Sequence, residues 1–509
     1  MGIVIGLDVG TSGTKAVAID ASGALVASAL VEYPLLTPKP GWAEQDPASW
    51  KSASIDALRA LASALGARTS DVKGIGLTGQ MHGSVFLDAG NNVLRNALLW
   101  CDNRTAPQCD AITAKVGEKQ LIEMVCNPAL TGFTAPKILW LRDNEPQLYE
   151  KLRKVLLPKD YIRWVLTGEF ATDVADASGT LLFDVKNRTW HTHLMSLLGI
   201  DSAFMPRAFE GPEVTGTLSN DAATKTGLPA GIPVVAGGGD QAAGGIGNGI
   251  VRRGVISSTV GTSGVVFAFA DDIRLDPEGR VHTFCHAVPG KWHVMGVVLS
   301  AGGSLRWFRD ALCPAEKAIA NEIGKDPYEL ITTAASGVAP GAEGLTFLPY
   351  LSGERTPHKD PYARGAFVGL SLKHTRAHMA RAVLEGVAFA MRDSLEIMGK
   401  MGVPIEQVRA SGGGARSALW RQIQADVNKT PLVTTNIDEG PAYGAALLAT
   451  VATGMYGCVE DACDAIIKVV DECAPVKSNA PVYDTCFTEY QETYKALAPG
   501  FARVAKSST

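Results

Sequence analysis

Short apolar runs separated by turn residues open the chain. Residues 3–7, 16–19 and 25–31 are almost entirely apolar, whereas residues 8–15 and 20–23 are polar and rich in glycine. Apolar runs of this length, bounded by turn residues, predict buried strands. The chain is therefore predicted to begin with an antiparallel meander of three strands that has a polar loop at its first bend.

Several longer stretches carry apolar residues at helical spacing. Residues 47–65 do so, with Ser49 as the predicted N-cap and Gly66 just past the predicted last turn. Further helices are predicted at residues 375–401, 417–429 and 442–454, with a strand at residues 408–410. Strands alternating with helices predict an α/β protein.

One loop of the first meander recurs in the second half of the chain. The letters V-G-T-S-G occupy residues 9–13 and again residues 260–264, which is an offset of 251 positions in a chain of 509. The second copy also lies between two predicted strands, at residues 255–259 and 265–270. A repeated loop in the same context at half-length spacing predicts two related domains that face one another, with a boundary near residue 250 (residues 1–250 and 251–509).

Composition and charge exclude several classes of protein. Hydrophobic residues make up 46% and charged residues 19% of the chain, as in a folded globular protein. The net charge is −5 and no basic stripe is present, so no nucleic-acid partner is expected. No apolar run approaches the ~20 residues of a membrane span, and the nine cysteines form no C-x-x-C pair. A cytoplasmic protein without a disulfide framework, a zinc site or a membrane partner is predicted.

The two V-G-T-S-G loops suit phosphate binding. Successive backbone N–H groups and hydroxyls in such a loop can bind phosphate oxygens, and two loops could bind a polyphosphate from opposite sides. Lys15, just after the first loop, could add positive charge, although a solvated lysine is the alternative. The Walker pattern G-x-x-x-x-G-K-[ST] is absent. An ordinary hairpin turn is the structural alternative for either loop.

Two aspartates follow predicted strands and are candidates for chemistry. Asp8 comes directly before the first loop, where it could hold Mg²⁺ or could form an Asx turn. Asp240 follows the strand and glycines of residues 234–239, where it could accept the proton of a hydroxyl group or could cap the following helix. A carboxylate in either position suits phosphoryl transfer.

Three further features allow two interpretations each. Residues 74–79 match G-x-G-x-x-G, but the residues that follow look extended rather than helical, which argues against a nicotinamide-dependent dehydrogenase. His82 could bind a polyol or could be a structural histidine. The glycines at residues 412–414 could lie under a nucleotide or could form a generic turn.

These features together resemble the FGGY family of carbohydrate kinases. The first family signature resembles residues 132–144, and the second resembles residues 365–370 together with residues 378–385. The resemblance extends from residue 3 to about residue 448. It implies two RNase H-like domains of the actin/hexokinase/Hsp70 type that flank a central cleft, with sugar binding in the first domain and nucleotide binding in the second.

Within the family, the chain is similar to the members that act on D-xylulose. Residues 42–47, 79–83, 156–161 and 347–358 resemble stretches typical of those members. The resemblance implies ATP-dependent phosphorylation of D-xylulose to D-xylulose 5-phosphate. These members commonly have Asn where this chain has Gln241, which leaves D-ribulose, L-xylulose or a pentitol as alternative substrates. A non-catalytic, actin-like ATP-binding switch is a remoter alternative.

The resemblance also assigns site residues. It implies that Asp240 is the catalytic base and that Asp8 organises Mg²⁺ and the phosphates. The implied sugar-binding residues are Met81, His82, Asp240 and Gln241. The implied ATP-binding residues are Thr11, Ser12, Lys15, Thr262, Gly302, Gly303, Gly413 and Gly414. Glu354 and Arg355 are expected to brace the domain interface, and a homodimer is the oligomeric state that the family suggests.

Overall fold

A computed structural model describes residues 2–507. The strands within this range are β1 Ile3–Val9, β2 Gly13–Asp20, β3 Leu25–Glu32, β4 Glu44–Gln45, β5 Val72–Gly79, β6 Val85–Leu87, β7 Ala97–Leu98, β8 Lys154–Leu156, β9 Ala171–Asp173, β10 Phe183–Asp184, β11 Thr189–Trp190, β12 Arg207–Phe209, β13 Val214–Thr217, β14 Pro233–Val235, β15 Gly238–Gly239, β16 Gly254–Val260, β17 Gly264–Ala270, β18 His282–Cys285, β19 Trp292–Val298, β20 Thr346–Leu348, β21 Ala366–Val368, β22 Ile405–Ser411, β23 Leu432–Thr435 and β24 Val469–Cys473.

Helices cover the two large sheets that these strands form. They are α1 Pro47–Leu65, α2 Ala106–Val116, α3 Glu118–Val125, α4 Thr134–Asn144, α5 Pro146–Tyr149, α6 Pro158–Thr167, α7 Val174–Ser178, α8 Thr192–Leu198, α9 Asn220–Thr226, α10 Asp240–Gly247, α11 Gly302–Leu312, α12 Pro314–Ile323, α13 Pro327–Ser336, α14 Arg376–Lys400, α15 Ala418–Asn428, α16 Pro441–Ala452, α17 Val459–Ile466 and α18 Ala480–Ser507. No helix within residues 2–507 combines the length and the apolar character that crossing a membrane requires.

The two halves of the chain contain sheets of the same topology. The first sheet has the order β13-β14-β5-β1-β2-β3, with β15 also paired to β5, and the second has the order β18-β19-β17-β16-β22-β23-β24. In each sheet three parallel strands (β14, β5, β1 and β23, β22, β16) continue into an antiparallel meander. The predicted α/β class, the twin architecture and the meander at the start of the chain are confirmed.

Several predicted elements agree with the structure, and one predicted cap is wrong. Helix α1 has the predicted bounds, but its N-cap is Asp46, whose side chain accepts a hydrogen bond from the amide of Ala48. Asp46 precedes Pro47, and proline is favoured in the first helical turn because its missing N–H is not needed there. Ser49 therefore lies inside the first turn of the helix and does not cap it.

The G-x-G-x-x-G letters lie inside a strand. Residues 74–79 belong to β5, which pairs in parallel with β1, and the chain continues into a loop and the short strand β6. A dinucleotide fingerprint needs these glycines at a turn that opens a helix. The structure therefore removes the only feature that suggested a dehydrogenase.

Helix α16 packs against the first sheet although it lies far beyond residue 250. A Cβ atom on Gly6 would lie 1.8 Å from the carbonyl oxygen of Ala442, and one on Gly76 would lie 1.8 Å from that of Ala445. Only glycine permits so close an approach of helix and strand. The other side of α16 packs on α10, in a buried cluster that includes Ile246.

Candidate active site

Parallel strands bring four predicted site residues to one end of the sheet. In the register of the first sheet Asp8 lies opposite Thr78, and Gly79 lies opposite Gly239. The carboxyl ends of β1, β5 and β15 therefore meet, and Asp8, Met81–His82 and Asp240 are located at or just after these ends. Ligands bind at the carboxyl ends of parallel strands in open α/β sheets, so this edge is the candidate active site.

The charge of Asp240 affects the pKa of Asp8. Burial first and then the nearby charge of Asp240 raise the pKa of Asp8, Lys15 lowers it, and the result is about 7. Burial also raises the pKa of Asp240 to about 6, against hydrogen bonds from Gln241 that lower it. The N-cap of α10 is Gly239, so the carboxylate of Asp240 lies in the first helical turn and does not cap the helix.

His82 is held in an uncommon backbone conformation. Its φ angle is +67°, and its Nδ1 lies 2.7 Å from the carbonyl oxygen of Gly179. A carbonyl oxygen only accepts, so Nδ1 carries the proton and Nε2 is left as an acceptor. Burial lowers the pKa of His82 to about 3, which keeps the ring neutral. Its neighbour Met81 is 3% exposed and packs with Phe133 and Phe284.

A buried lysine supports the main chain of His82. Lys137, on α4, is fully buried and donates hydrogen bonds to the carbonyl oxygens of His82 at 2.8 Å and Gly132 at 2.7 Å. Thr134 Oγ1 donates to the same His82 oxygen at 3.1 Å. Sequence reasoning gave Lys137 no role. The only signal was its position in the stretch that resembles the first family signature.

A second buried charge cluster supports the strand that leads to Asp240. Lys159 Nζ lies 2.6 Å from Asp173 Oδ2 and 2.5 Å from Asp160 Oδ1, and all three side chains are fully buried. Arg163 donates to the carbonyl oxygens of Val235 at 2.7 Å and Ala236 at 2.5 Å. This cluster was not identified from the sequence.

The first V-G-T-S-G loop forms the predicted tight turn. The amide of Gly10 donates to the carbonyl oxygen of Gly13 at 3.0 Å. Thr11 Oγ1 lies 3.2 Å from Gln80 Oε1 and accepts from Trp100 Nε1 at 3.0 Å. Ser12 is exposed, and Lys15 pairs with Glu439 across the two halves at 2.7 Å.

The second loop also forms a tight turn, closed one residue earlier than the first, and is joined to helix α11. The amide of Gly261 donates to the carbonyl oxygen of Ser263 at 3.0 Å. The carbonyl oxygen of Thr262 accepts from the amides of Ala301 at 3.0 Å and Gly303 at 2.9 Å. The loop is therefore fixed against the N-terminus of α11, whose Gly302 and Gly303 amides donate to its carbonyl oxygens. The positive end of the helix dipole at this terminus favours anionic ligands.

A cavity of about 760 Å³ opens beside this second loop. Four predicted ATP-binding residues line it, namely Thr262, Gly302, Gly413 and Gly414. Gly303 does not belong to the lining. Other lining residues that the sequence did not identify include Arg306, Tyr328, Thr332, Ser417 and Trp420. Cavities of about 300–1,000 Å³ bind nucleotide-sized ligands, and this one has mixed polar and apolar walls.

The site offers little to a tightly bound metal. Among residues 2–507 no group of three or more His, Cys, Asp or Glu side chains could hold a metal ion. Asp8 Oδ1, however, is a buried oxygen without a hydrogen-bond partner. A single carboxylate oxygen of this kind suits Mg²⁺, which keeps most of its waters and binds through one or two carboxylates together with substrate phosphates.

The chain is similar to known carbohydrate kinases in sequence and in fold. The family models for the N-terminal and C-terminal domains of the FGGY family of carbohydrate kinases match residues 3–247 and 256–453. The chain is 38% identical to the xylulose kinase of Bacillus subtilis (strain 168) over 97% of both chains. It is 43% identical to that of Escherichia coli (strain K12) over 88% of this chain and 90% of the relative.

A solved structure shows the same fold over nearly the whole chain. The crystal structure of xylulose kinase from Rhodospirillum rubrum superposes with a TM-score of 0.90 at 32% identity, covering 98% of this chain and 100% of the other. The sequence matches and this superposition agree with the fold and with the resemblance noted in the sequence. The chain belongs to the FGGY family of carbohydrate kinases.

Proposed function

We propose that this protein transfers the terminal phosphoryl group of ATP to the 5-hydroxyl of D-xylulose, which gives D-xylulose 5-phosphate and ADP. The observation that carries the proposal is the meeting of Asp8, Met81–His82 and Asp240 at the carboxyl ends of three adjacent strands. The relatives named xylulose kinase, matched over almost the full chain, support this substrate over other pentuloses.

The sugar and the nucleotide would approach from different halves. The sugar would bind at the edge of the first sheet, against Met81, His82, Asp240 and Gln241. ATP would occupy the cavity in the second half, with its phosphates between the two V-G-T-S-G loops. Thr262, Gly302, Gly413 and Gly414 line that cavity, which supports their predicted role. Backbone N–H groups of the two loops would stabilise charge on the phosphate oxygens.

Asp240 would act as the general base. Its pKa of about 6 leaves most of the carboxylate ionised near neutral pH, while it stays basic enough to accept a proton. The transition state of phosphoryl transfer is loose, so the carboxylate mainly has to orient the hydroxyl for in-line attack and take its proton late. The buried Arg163 holds the carbonyls of Val235 and Ala236, which fixes the strand that leads to this base.

His82 would orient the sugar as a hydrogen-bond acceptor. Its proton lies on Nδ1, facing Gly179, so Nε2 would accept a hydrogen bond from a sugar hydroxyl. Its low pKa keeps that acceptor available throughout the neutral range. Met81 would supply an apolar wall beside it.

Magnesium would be held through Asp8. The unpartnered Oδ1 of Asp8 fits a site in which water and phosphate oxygens supply the other ligands. When bound with ATP, Mg²⁺ would neutralise negative charge on the phosphates. The protein's own contribution is the fixed carboxylate of Asp8 at the end of β1.

A coupled assay of ADP release tests the proposal. The wild-type protein is expected to release ADP faster with D-xylulose than with D-ribulose, L-xylulose or pentitols, and slowly without sugar. Asp240→Asn is expected to lower kcat by about 10²–10⁴-fold, the usual contribution of a general base, while ADP binding is kept. Asp110→Asn is the matched control, because Asp110 is an exposed aspartate on α2.

Two results would contradict the proposal. Near-wild-type turnover by Asp240→Asn would remove Asp240 from the role of base. ADP release that does not respond to any pentulose would favour the nucleotide-binding switch instead. The homodimer and the cytoplasmic location remain predictions, and light scattering and cell fractionation test them.

A further inference from the structure

Arg355 lies on a loop that is fixed to the second sheet. The amide of Thr356 donates to the carbonyl oxygen of Val297 at 3.1 Å, and the amide of Val297 donates to Thr356 Oγ1 at 3.1 Å. On the other side, Glu354 Oε1 accepts from the amide of Leu299 at 2.9 Å. Both neighbours of Arg355 are therefore anchored at the end of β19, and the backbone position of Arg355 is set by the second half.

The guanidinium of Arg355 has no partner among the described residues. No carboxylate lies within ion-pair distance of it, and its side chain makes no hydrogen bond within residues 2–507. The adjacent Glu354 does not pair with it, because its Oε1 accepts from two backbone amides. The buried Arg163 and Arg381, by contrast, donate to carbonyl, carboxylate or hydroxyl oxygens.

An unpaired guanidinium in this position needs an explanation. Arg355 is only partly exposed, and burial lowers its pKa. Burying a cation without a partner is costly, so proteins normally pair such groups. The guanidinium nitrogens of Arg355 are not among the buried polar atoms that lack a partner, so they are open to solvent. Free donors of this kind are suited to bind the oxygens of a ligand.

The loop reaches the His82 end of the sugar site. Val297, which is bonded to Thr356, packs against the hydrophobic cluster that contains Met81 and Phe133. The ring of His82 lies 4.9 Å from that of Phe133. Besides burial, the charge of Arg355 lowers the pKa of His82 and of the neighbouring His282. Arg355 therefore lies within electrostatic range of the His82 end of the site.

We propose that Arg355 is a specificity-determining residue that binds the acceptor sugar at the end remote from Asp240, donating hydrogen bonds to the ketone oxygen and the neighbouring hydroxyl. This inference rests on the proposed function. The pairing follows from donor and acceptor chemistry: a ketone oxygen can only accept, and a guanidinium can only donate. His82 Nε2, an acceptor, suits a hydroxyl instead. This sugar-binding role replaces the interface-bracing role that the sequence suggested for Arg355, because the side chain of Arg355 bonds to no described residue of the first half.

Steady-state kinetics of Arg355→Gln and Arg355→Lys test the proposal. Losing hydrogen bonds from a charged group is expected to raise the KM for D-xylulose by about 10- to 100-fold in Arg355→Gln. The KM for ATP, the Kd for ADP and the melting temperature are expected to stay at wild-type values. The KM of Arg355→Lys for D-xylulose is expected to lie between those of the wild type and Arg355→Gln, because an ammonium keeps the charge but lacks the planar fork of a guanidinium. Any turnover of pentitols, which lack the ketone, is expected to change less than turnover of D-xylulose.

Arg364→Gln is the matched control. Arg364 is an exposed arginine a few residues further along the chain, and its guanidinium donates only to the carbonyl oxygens of Pro361 and Ala363. Its substitution removes the same charge and is expected to leave the KM for the sugar unchanged.

The outcomes separate this inference from the proposed function. If wild-type protein prefers another pentulose, the proposed substrate is wrong, and the Arg355 variants are measured with the preferred sugar instead. A wild-type KM for the sugar in Arg355→Gln would overturn the inference. An increase confined to the KM for ATP would also overturn it, because Arg355 would then belong to the nucleotide site.

Discussion

Lys137 Nζ donates a 2.8 Å hydrogen bond to the carbonyl oxygen of His82, a residue whose φ angle is +67°. A left-handed backbone costs a non-glycine residue about 1–2 kcal/mol. The conformation persists because Lys137 and Thr134 bind the carbonyl oxygen while Gly179 binds the ring. The site therefore depends on a lysine that is not itself positioned to touch substrate.

Replacing Lys137 by methionine is expected to weaken sugar binding. The substitution fills most of the volume but leaves the carbonyl oxygen of Gly132 without its donor and loosens His82. Burial lowers the pKa of Lys137 to about 7, so the ammonium and the neutral amine are both populated near neutral pH. A hydrogen bond contributes about 0.5–1.5 kcal/mol from a neutral donor and about 1.5–3 kcal/mol from a charged one, so kcat/KM for the sugar is expected to fall by at least about threefold. The Kd for ADP is expected to stay unchanged. The control is Lys51→Met, at an exposed position on α1. A wild-type KM for the sugar in Lys137→Met would show that His82 does not need the hydrogen bond from Lys137.

The pH dependence of kcat/KM should report the carboxylates of Asp240 and Asp8. The pKa of Asp240 is about 6, and that of Asp8, to which the charge of Asp240 contributes, is about 7. Both groups work when ionised, so activity is expected to be full above about pH 8 and to fall as the pH drops through 7 and 6. A rate profile for D-xylulose at saturating ATP checks this. An acidic limb near pH 4, where an ordinary aspartate titrates, would contradict it.

Asp8→Asn is expected to stabilise the protein in a pH-dependent way. The folded-state pKa of Asp8 is about 7, above the value of 3.8 for an unfolded chain. The cost of burying its charge is therefore absent below pH 3.8 and complete above pH 7. By linkage, Asp8→Asn is expected to increase the free energy of unfolding by at most about 4 kcal/mol. Urea unfolding without nucleotide or Mg²⁺ should show a larger gain at pH 8 than at pH 5.

The same variant should lose activity in a manner that depends on metal. Asp8→Asn is expected to need a higher Mg²⁺ concentration for half-maximal turnover. A Mg²⁺ titration that coincides with that of the wild type would remove Asp8 from the metal site. Equal stability gains at both pH values would show that Asp8 is not buried in its charged form.

Two adjacent glycines should respond differently to substitution. A Cβ on Gly413 would have no protein atom nearer than 3.9 Å, so the side chain of Gly413→Leu is expected to extend into the cavity. The substitution is expected to raise the KM for ATP by about tenfold or more and to leave the melting temperature unchanged. A Cβ on Gly414 would lie 2.5 Å from Val260 Cβ, so Gly414→Ala is expected to cost about 1–3 kcal/mol of stability. Unchanged ATP affinity in Gly413→Leu would place the nucleotide elsewhere.

Gln241→Asn should change the choice of sugar more than the chemistry. Gln241 follows Asp240 in the first turn of α10 and hydrogen-bonds its carboxylate, so the proposed sugar site would meet the Gln241 side chain next to the base. Shortening it by one methylene group is expected to shift the kcat/KM ratio among D-xylulose, D-ribulose and L-xylulose by about tenfold or more. The best sugar should keep a kcat within a few-fold of the wild type. An unchanged profile across the three sugars would mean that Gln241 does not set specificity.

Local patterns predicted the repeated part of the fold. The strands around both V-G-T-S-G loops form as predicted because runs of β-branched residues between turn residues bury well as strands. Asp8 and Asp240 were also identified, because a carboxylate that follows a buried strand stands out in the sequence. The effect of the Asp240 charge on the pKa of Asp8 depends on the strand register, which the pattern did not give.

Long-range partners of charged residues could not be predicted. Lys137 lies 55 positions from His82, and Lys15 pairs with Glu439 from 424 positions away. A lysine in a sequence is expected at the surface, since burial of an unpaired ammonium is costly. Only the fold reveals which of these lysines meets oxygens that offset that cost. The same reason hid the buried Lys159 and Arg163.

Helix α16 makes the two halves inseparable. Residues 441–452 come from the second half of the sequence, yet their carbonyl oxygens lie against Gly6 and Gly76 of the first sheet. A polypeptide cut at residue 250 and expressed as its N-terminal piece alone would expose a bare apolar sheet face and would be prone to aggregate. Split-protein designs based on this enzyme therefore have to supply α16 together with the first sheet, for example by grafting residues 441–452 onto the shorter piece.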